Sequence, residues 1–84
     1  MKITLKLFAS LTDYLPPEAK YTNLVELDIS PDTTISQVVE QQRLPAKLVH
    51  LVLVNGSYIY PEKRPTRTLT EGDVLAIWPP IAGG

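Results

Sequence analysis

An apolar run near the end of the chain, Val74 to Trp78, passes directly into two adjacent prolines, Pro79 and Pro80. Because proline has a fixed φ and no N–H, the chain can neither extend a sheet ladder nor begin an ordinary helix at these positions. The sequence therefore predicts a last strand that stops at Trp78 and an extended segment that leaves the fold. We divide the chain accordingly into a domain over residues 1–78 and a tail over residues 79–84.

The tail closes the sequence with Gly83 and Gly84. Six residues beyond Trp78, at about 3.3 Å each, carry the last carbonyl up to about 20 Å from the domain. Glycine has no Cβ, so these two residues can thread a narrow channel and leave the final carbonyl open to attack. Small residues also collect at chain ends where nothing constrains them, so the tail by itself leaves an inert terminus as an alternative.

Composition limits the class of protein. The 84 residues suffice for one small domain, and with 44% hydrophobic and 20% charged residues the chain is expected to be neither disordered nor membranous. We expect no signal peptide, because Lys2 alternates with Ile3 and Thr4 instead of preceding an apolar segment. The absence of cysteine excludes thiolate chemistry and makes a cytoplasmic location the default expectation. Eight basic and nine acidic residues, without a basic stripe, argue against a nucleic-acid partner.

Two segments in the first third of the chain alternate with the period of a half-buried strand. The first covers Lys2 to Ala9, with Ile3, Leu5 and Leu7 on its apolar side. The second is centred on Val25, Leu27 and Ile29, and the two are close enough in sequence to pair as an antiparallel ribbon. Phe8 interrupts the polar side of the first strand. It is either a core residue, the favoured interpretation, or part of a contact patch.

One helix is predicted after the second strand. Thr34 and Gln37 have the spacing of a capping box, in which each side chain satisfies the other residue's free N–H. Ile35, Val38 and Val39 then form a narrow apolar face. Because Pro45 disfavours helical geometry at the preceding residue, the helix is limited to about ten residues.

The second half of the chain predicts the remaining strands. Val49 to Val54 is nearly all apolar, which predicts a strand that is either covered on both sides or central in the sheet. The following Asn55-Gly56 is typical of a type I′ turn into Tyr58-Ile59-Tyr60. His50 has no second ligand or base nearby, so it is interpreted as an ordinary strand-end residue, and no metal site is predicted. Pro61 to Arg67 is a long connection with three basic residues, either a solvated loop or a segment that steers an acidic partner.

The predicted order is two strands, a helix, two strands and a last strand. Such an order places the helix on one face of a sheet in an α+β domain. The helical crossover favours a mixed sheet of four to five strands, with the last strand beside the first. This is the ubiquitin-like β-grasp layout.

Several motifs also carry a family resemblance over essentially the whole chain. They are Leu7-Phe8-Ala9 with Leu11, Val54-Asn55-Gly56, Leu69-Thr70-Glu71-Gly72-Asp73-Val74, and the tail from Trp78 to Gly84. The chain resembles the small prokaryotic sulfur-carrier proteins, which include the small subunit of molybdopterin synthase and the sulfur carrier of thiamine thiazole formation. The double proline resembles the molybdopterin branch.

The resemblance implies a function for the tail. Gly84 would be adenylated by a partner of the ubiquitin-activating type, which uses ATP and Mg, and sulfur from a persulfide enzyme would convert it to a thiocarboxylate. The chain would bind no cofactor and would be a sulfur-donating subunit, not an enzyme by itself. The second partner would be the large molybdopterin synthase subunit or a thiazole synthase. Gly83 would give clearance, and Pro79, Pro80, Ile81 and Ala82 would set reach and direction.

The partner surface and two alternatives complete the expectations. Exposed apolar groups around Phe8, Tyr58, Tyr60 and Trp78 suit a β-grasp face contact, although core or edge packing is the more frequent role of such side chains. A ubiquitin-like binding module with an inert tail explains the fold equally well, but not the order of prolines and glycines. A tag joined to lysines through Gly84 is the other alternative.

Overall fold

The structure is a computed structural model and describes residues 1–80. Within this range the strands are β1 (Lys2–Leu7), β2 (Leu24–Asp28), β3 (Leu51–Val54), β4 (Ser57–Tyr58) and β5 (Val74–Trp78), and the helix α1 spans Ile35–Gln41. Short 3-10 turns cover Ala9–Tyr14, Pro17–Ala19, Ala46–Leu48 and Pro61–Lys63. The last four predicted tail residues, Ile81 to Gly84, lie outside the described residues.

The strands form one mixed sheet in the order β2-β1-β5-β3-β4. β1 pairs antiparallel with β2 and parallel with β5, and β3 pairs antiparallel with both β5 and β4. The predictions of an antiparallel ribbon, of a last strand beside the first and of a β-grasp fold are therefore confirmed. β5 is the central strand, paired on both sides.

The core lies between one face of this sheet and α1. Alternate residues of β1, namely Ile3, Leu5 and Leu7, are buried there, as the period-two pattern predicts. Ile35 and Val38 of α1 are fully buried in the same cluster. Each such aliphatic side chain contributes about 1.5–3 kcal/mol on removal from water, so this interface is the main source of stability.

The first turn of α1 is tied to the connection before β5. Gln37 N–H donates to the Thr34 hydroxyl at 3.2 Å, and Thr34 N–H donates to the Gln37 side-chain oxygen at 2.9 Å, which confirms the capping box. The N–H groups of Ile35 and Ser36, which follow Thr34, donate to backbone carbonyls of the Pro61–Arg67 connection. All the helix-start donors that a short helix leaves unpaired are thus satisfied.

Four predicted boundaries were too generous. β4 ends at Tyr58 and not at Tyr60, and the other three differences each have a local reason. β1 ends at Leu7 because Ala9 turns to a positive φ of 53° and opens a 3-10 turn. α1 has seven residues because Arg43, with a φ of 59°, ends it ahead of Pro45. β3 starts at Leu51 because the preceding residues form a 3-10 turn.

At the other end of the sheet, hydrogen bonds join the Asn55-Gly56 turn to the turn that precedes β5. Asn55 and Gly56 both have positive φ, 50° and 86°, which confirms the type I′ turn. The Asn55 amide donates to an Asp73 carboxylate oxygen at 2.9 Å, and its own oxygen accepts from Val74 N–H at 2.9 Å. The Asp73 carboxylate also accepts from the N–H and the hydroxyl of Thr70 at 2.9 and 3.0 Å. Asp73 therefore joins the β3–β4 turn to the start of β5.

These contacts shift the pKa of Asp73. Burial of the carboxyl acts to raise its pKa, but the hydrogen bonds from Thr70 and Asn55, together with the charge of Arg67, outweigh it and hold the pKa below the ordinary value of 3.8. The folded state therefore favours the ionised carboxylate. Its contribution to stability is present above pH 3.8 and is lost as the pH falls through the lowered pKa.

We predict that Asp73→Asn lowers the free energy of unfolding at neutral pH by about 1–3 kcal/mol, because the new NH2 group must face either the Thr70 N–H or the Asn55 side-chain amide, and both of these are donors. The variant should also lose less stability than the unaltered chain on acidification below about pH 4. Urea unfolding at several pH values measures both effects, and Asp13→Asn, at an exposed position, is the control. Equal stability and equal pH dependence of the two variants would show that the Asp73 cluster is not stabilising.

Candidate functional site

The sheet ladder stops where the tail begins. Trp78 is the last residue of β5, and its carbonyl accepts from His50 N–H at 3.0 Å. The next two residues are prolines and have no N–H to donate, so no further β5 donor is available to either neighbouring strand. Trp78 is thus the point at which the chain leaves the sheet, as the sequence predicts. His50 acts there through its backbone, and its side chain is exposed.

An aromatic pair marks this exit. The rings of Phe8 and Trp78 are parallel, with an interplanar angle of 2° and centroids 4.1 Å apart. The pair follows from the parallel β1–β5 register, in which Leu7 is the partner of Ile77, because one further residue on each strand places Phe8 beside Trp78. Phe8 is only half-buried and belongs to the sheet face opposite α1. The favoured interpretation of Phe8 as a core residue is therefore wrong.

The strand register extends this pair into two rows across the outer face of the sheet. Leu51 is paired with Trp78, and Leu53 with both Ala76 and Tyr58. Continuing the β3–β4 register by two residues places Tyr60 opposite Leu51. The row nearest the tail is therefore Phe8, Trp78, Leu51 and Tyr60, and the row behind it is Lys6, Ala76, Leu53 and Tyr58.

We call the large apolar and aromatic members of these rows the tail face: Phe8, Leu51, Leu53, Tyr58, Tyr60 and Trp78. Tyr58 and Tyr60 are 42% and 59% exposed, so core packing is excluded for both. Their rings meet edge to face at 5.0 Å, which is packing at a sheet edge, because β4 is an outermost strand. The four aromatic residues proposed from the sequence thus share one face of the sheet, and the tail leaves this face at Trp78.

The basic connection after Tyr60 is not a uniformly solvated loop. Arg64 is buried, and its Nε and Nη2 donate to the carbonyls of Ile59 and His50 at 3.0 and 3.2 Å. Ile59 N–H donates to the Val52 carbonyl, so the same β3–β4 register places Pro61 opposite His50. Pro61 has no N–H, and the Arg64 guanidinium supplies the donor that this position lacks. Arg64 therefore stabilises the β3–β4 hairpin and the connection that follows it.

The side chains of the described residues can be compared with what a metal site or a membrane span requires. Over residues 1–80 there is no cluster of three or more His, Asp or Glu side chains that could hold a metal ion. In the same range, every buried side-chain nitrogen and oxygen has a hydrogen-bond partner. No helix among these residues is both long and apolar enough to cross a membrane. What distinguishes the molecule is the tail face and the segment that leaves it.

The family to which the chain belongs follows from a match to a protein-family model. A family model described as the ThiS family matches residues 5–84, which is nearly the whole sequence. The chain belongs to the ThiS family. These proteins are small ubiquitin-like sulfur carriers and are not catalytic themselves. No curated protein sequence matches the chain significantly.

Solved structures of low sequence identity share the fold. SAMP1 from Haloferax volcanii has a TM-score of 0.66 and 23% identity, with 100% of both chains covered. The HVO 2177 protein of the same organism has a TM-score of 0.73 and 23% identity, covering 100% of this chain and 87% of its own. A chain from the complex of subunits 1 and 2 of the molybdopterin-converting factor of Helicobacter pylori has a TM-score of 0.62 and 14% identity, with full coverage of both.

Sequence patterns alone did not reveal every member of this ThiS-family site. The apolar run of Val49 to Val54 predicts a strand that is either covered on both sides or central in the sheet. β3 does lie between two strands, but Leu51 and Leu53 are only half-buried and face outward beside the aromatic residues. The outward orientation of Leu53 could have been predicted from the Asn55-Gly56 turn. A hairpin with a two-residue loop pairs Leu53 with Tyr58 and so places both on one face of the sheet. The structural role of Arg64 could not be predicted from the local sequence, because it depends on hydrogen bonds to backbone carbonyls elsewhere in the chain.

The stack of Phe8 and Trp78 yields a prediction for this site. In a double-mutant cycle of Phe8→Leu and Trp78→Leu, we expect a coupling free energy of about 0.5–1.5 kcal/mol from urea unfolding, because each substitution removes one partner of the ring pair. The control cycle combines Phe8→Leu with Tyr60→Leu. These positions stand three strands apart, at about 14 Å, where additivity is expected. Equal coupling in both cycles would contradict a specific ring interaction.

Proposed function

We propose that this chain carries sulfur as a thiocarboxylate on Gly84 and serves as the small subunit of molybdopterin synthase. The supporting observation is the point from which the tail departs: it leaves the sheet at Trp78, on the outer face that carries four aromatic side chains. A partner that docks on this face has the tail directed into it. Membership of the ThiS family supplies the sulfur-carrier chemistry.

The proposed activation begins with the Gly84 carboxylate. A terminal carboxyl has an ordinary pKa of about 3.5, so it is ionised at neutral pH and attacks the α-phosphate of ATP held with Mg in an adenylating partner. This step forms an acyl adenylate and releases pyrophosphate. The terminal sulfur of a persulfide then attacks the acyl carbon and AMP leaves. Cleavage of the resulting disulfide by a thiol finally frees the thiocarboxylate, with oxidation of that thiol.

Each part of the tail has a role in this proposal. Gly84 bears the reacting carbonyl, and Gly83 gives clearance in a narrow channel because it has no Cβ. Pro79 to Ala82 set reach and direction, since proline restricts the chain to extended conformations. Phe8, Tyr58, Tyr60 and Trp78 contact the partner. The chain binds no cofactor, because ATP and Mg belong to the adenylating partner.

The choice of pathway is supported by two features. The double proline resembles the molybdopterin branch of the sulfur carriers, and the Helicobacter pylori structure is a complex of two subunits of a molybdopterin-converting factor. In that branch the large synthase subunit receives the tail, and the thiocarboxylate donates sulfur to a cyclic pyranopterin precursor. The alternative within the family is sulfur donation to a thiazole synthase.

Protein tagging is a second candidate function. A Haloferax volcanii relative in fold is described as a small archaeal modifier protein. In this alternative the activated Gly84 carbonyl is attacked by a lysine amine, which forms an amide bond in place of a thiocarboxylate. The two uses share the adenylation step and differ in the nucleophile that follows.

Intact-protein mass spectrometry tests the proposal. After incubation with the adenylating enzyme of the same genome, Mg-ATP and a persulfide donor, the chain should gain the mass difference between sulfur and oxygen, located on Gly84 by fragmentation. Deletion of Gly84 is the matched control and should abolish the gain, because the reacting carboxylate is displaced. An unchanged mass, or a native chain that continues beyond Gly84 without processing, would contradict the proposal.

The pathway requires a separate assay. The thiocarboxylated chain, mixed with the large synthase subunit and the pterin precursor, should return to the carboxylate form as sulfur is consumed. Consumption only with a thiazole synthase would assign the thiamine route, and an amide-linked adduct on lysine would assign tagging.

A further inference from the structure

The β4 end of the tail face opens into a groove of about 320 Å³. It is lined by Tyr58, Ile59, Tyr60, Lys63, Thr66 and Arg67. Two aromatic rings and two cationic side chains therefore border the same concave surface. Since Tyr60 lies in the row beside the tail, the groove continues the tail face beyond the sheet edge.

The two cations of the groove have no anionic partner within residues 1–80. The ion pair in that range joins the Met1 amino group to Asp28, and neither Lys63 nor Arg67 approaches a described carboxylate within salt-bridge distance. The charge of Arg67 lowers the pKa of Asp73, but that carboxylate already accepts three hydrogen bonds from Asn55 and Thr70. Both cationic groups are exposed to solvent.

The groove is also held in a fixed shape. Lys63 N–H donates to the Tyr60 carbonyl at 2.9 Å, and Arg67 N–H donates to the Lys63 carbonyl at 2.8 Å. The Arg67 Nε donates to the Thr68 carbonyl at 3.0 Å, which orients the guanidinium and leaves its two terminal nitrogens available. On the aromatic side, the Arg64 guanidinium carbon lies 6.0 Å from the Tyr58 ring centroid. Because the Arg67 guanidinium is already oriented, its binding to an anionic group costs less side-chain entropy.

We propose that this groove receives an acidic segment of the adenylating enzyme, with carboxylates paired to Lys63 and Arg67 and an apolar side chain against Tyr58 and Tyr60. The inference rests on the proposed function, and we select the adenylating enzyme because the molybdopterin, thiazole and tagging alternatives all require it. A planar guanidinium is suited to bidentate binding of a carboxylate. Charges at the rim of an interface mainly accelerate association and select the partner.

Binding kinetics without ATP test this proposal apart from the chemistry. The full chain is titrated against the adenylating enzyme by surface plasmon resonance or stopped flow at several salt concentrations. For Lys63→Glu with Arg67→Glu we expect the association rate constant to fall about tenfold or more at low salt, with a small change in dissociation rate. The dependence of association rate on salt should also weaken.

The matched control is Lys20→Glu with Lys47→Glu. It makes the same change in net charge at two exposed lysines outside the groove, and we expect association to slow by less than about threefold. Lys63→Gln with Arg67→Gln is a milder second variant and should give an intermediate rate. Equal rates for the groove variant and the control would overturn the inference while leaving the proposed function intact.

Two further outcomes would also overturn the proposed role of the groove. If the unaltered chain does not bind the adenylating enzyme at all, the proposed function fails and this inference fails with it. Vesicles containing phosphatidylserine provide the other comparison, because paired tyrosines and cations also suit an anionic membrane surface. Vesicle binding that is lost in the groove variant, with enzyme binding unchanged, would assign the groove to lipid and overturn the proposal.

Discussion

The structure depends most on the pairing of β5 between β1 and β3. Its three middle residues are buried, and its hydrogen bonds join the first and second halves of the chain. Because Pro79 and Pro80 cannot donate, the same strand has a sharply defined end. One element thus fixes both the centre of the fold and the position from which the tail departs. Any shift of its register by one residue would also reverse which side chains face the helix.

The two faces of the sheet have different roles. The inner face packs Ile3, Leu5 and Leu7 against α1 and supplies stability. The outer face keeps half-buried and exposed aromatic residues beside the tail, where a monomer gains little from them. Apolar groups gathered on one exposed surface are typical of a region that meets another protein. In the proposed function, the chain supplies the reacting Gly84 carboxylate and its partners supply the active sites, so this surface is the part of the domain that would deliver the tail to them.

Much of this arrangement was predictable because it depends on local patterns. Alternation in β1, the Thr34 capping box, the Asn55-Gly56 turn and the proline stop after Trp78 each specify backbone geometry over a few residues. The features that sequence reasoning missed are contacts between distant segments. The Phe8 ring is on the outer face because a parallel register sets it beside Trp78, and Arg64 is buried because Pro61 leaves the His50 carbonyl without a donor. Leu51 and Leu53 are only half-buried because no other element of the described chain covers the outer face of the sheet. The composition of a strand does not reveal whether its outer face is covered.

In the proposed function, partner enzymes bind the outer face of the sheet next to the tail. NMR of the labelled chain, titrated with the adenylating enzyme, tests it most directly. We expect the Trp78 indole and the Leu51 and Leu53 methyl resonances to shift or broaden on binding, while the resonances of Val39 and Ala46, on the helix side, remain unchanged. Perturbation confined to the helix side, with the Trp78 and Leu51 signals unaffected, would contradict it.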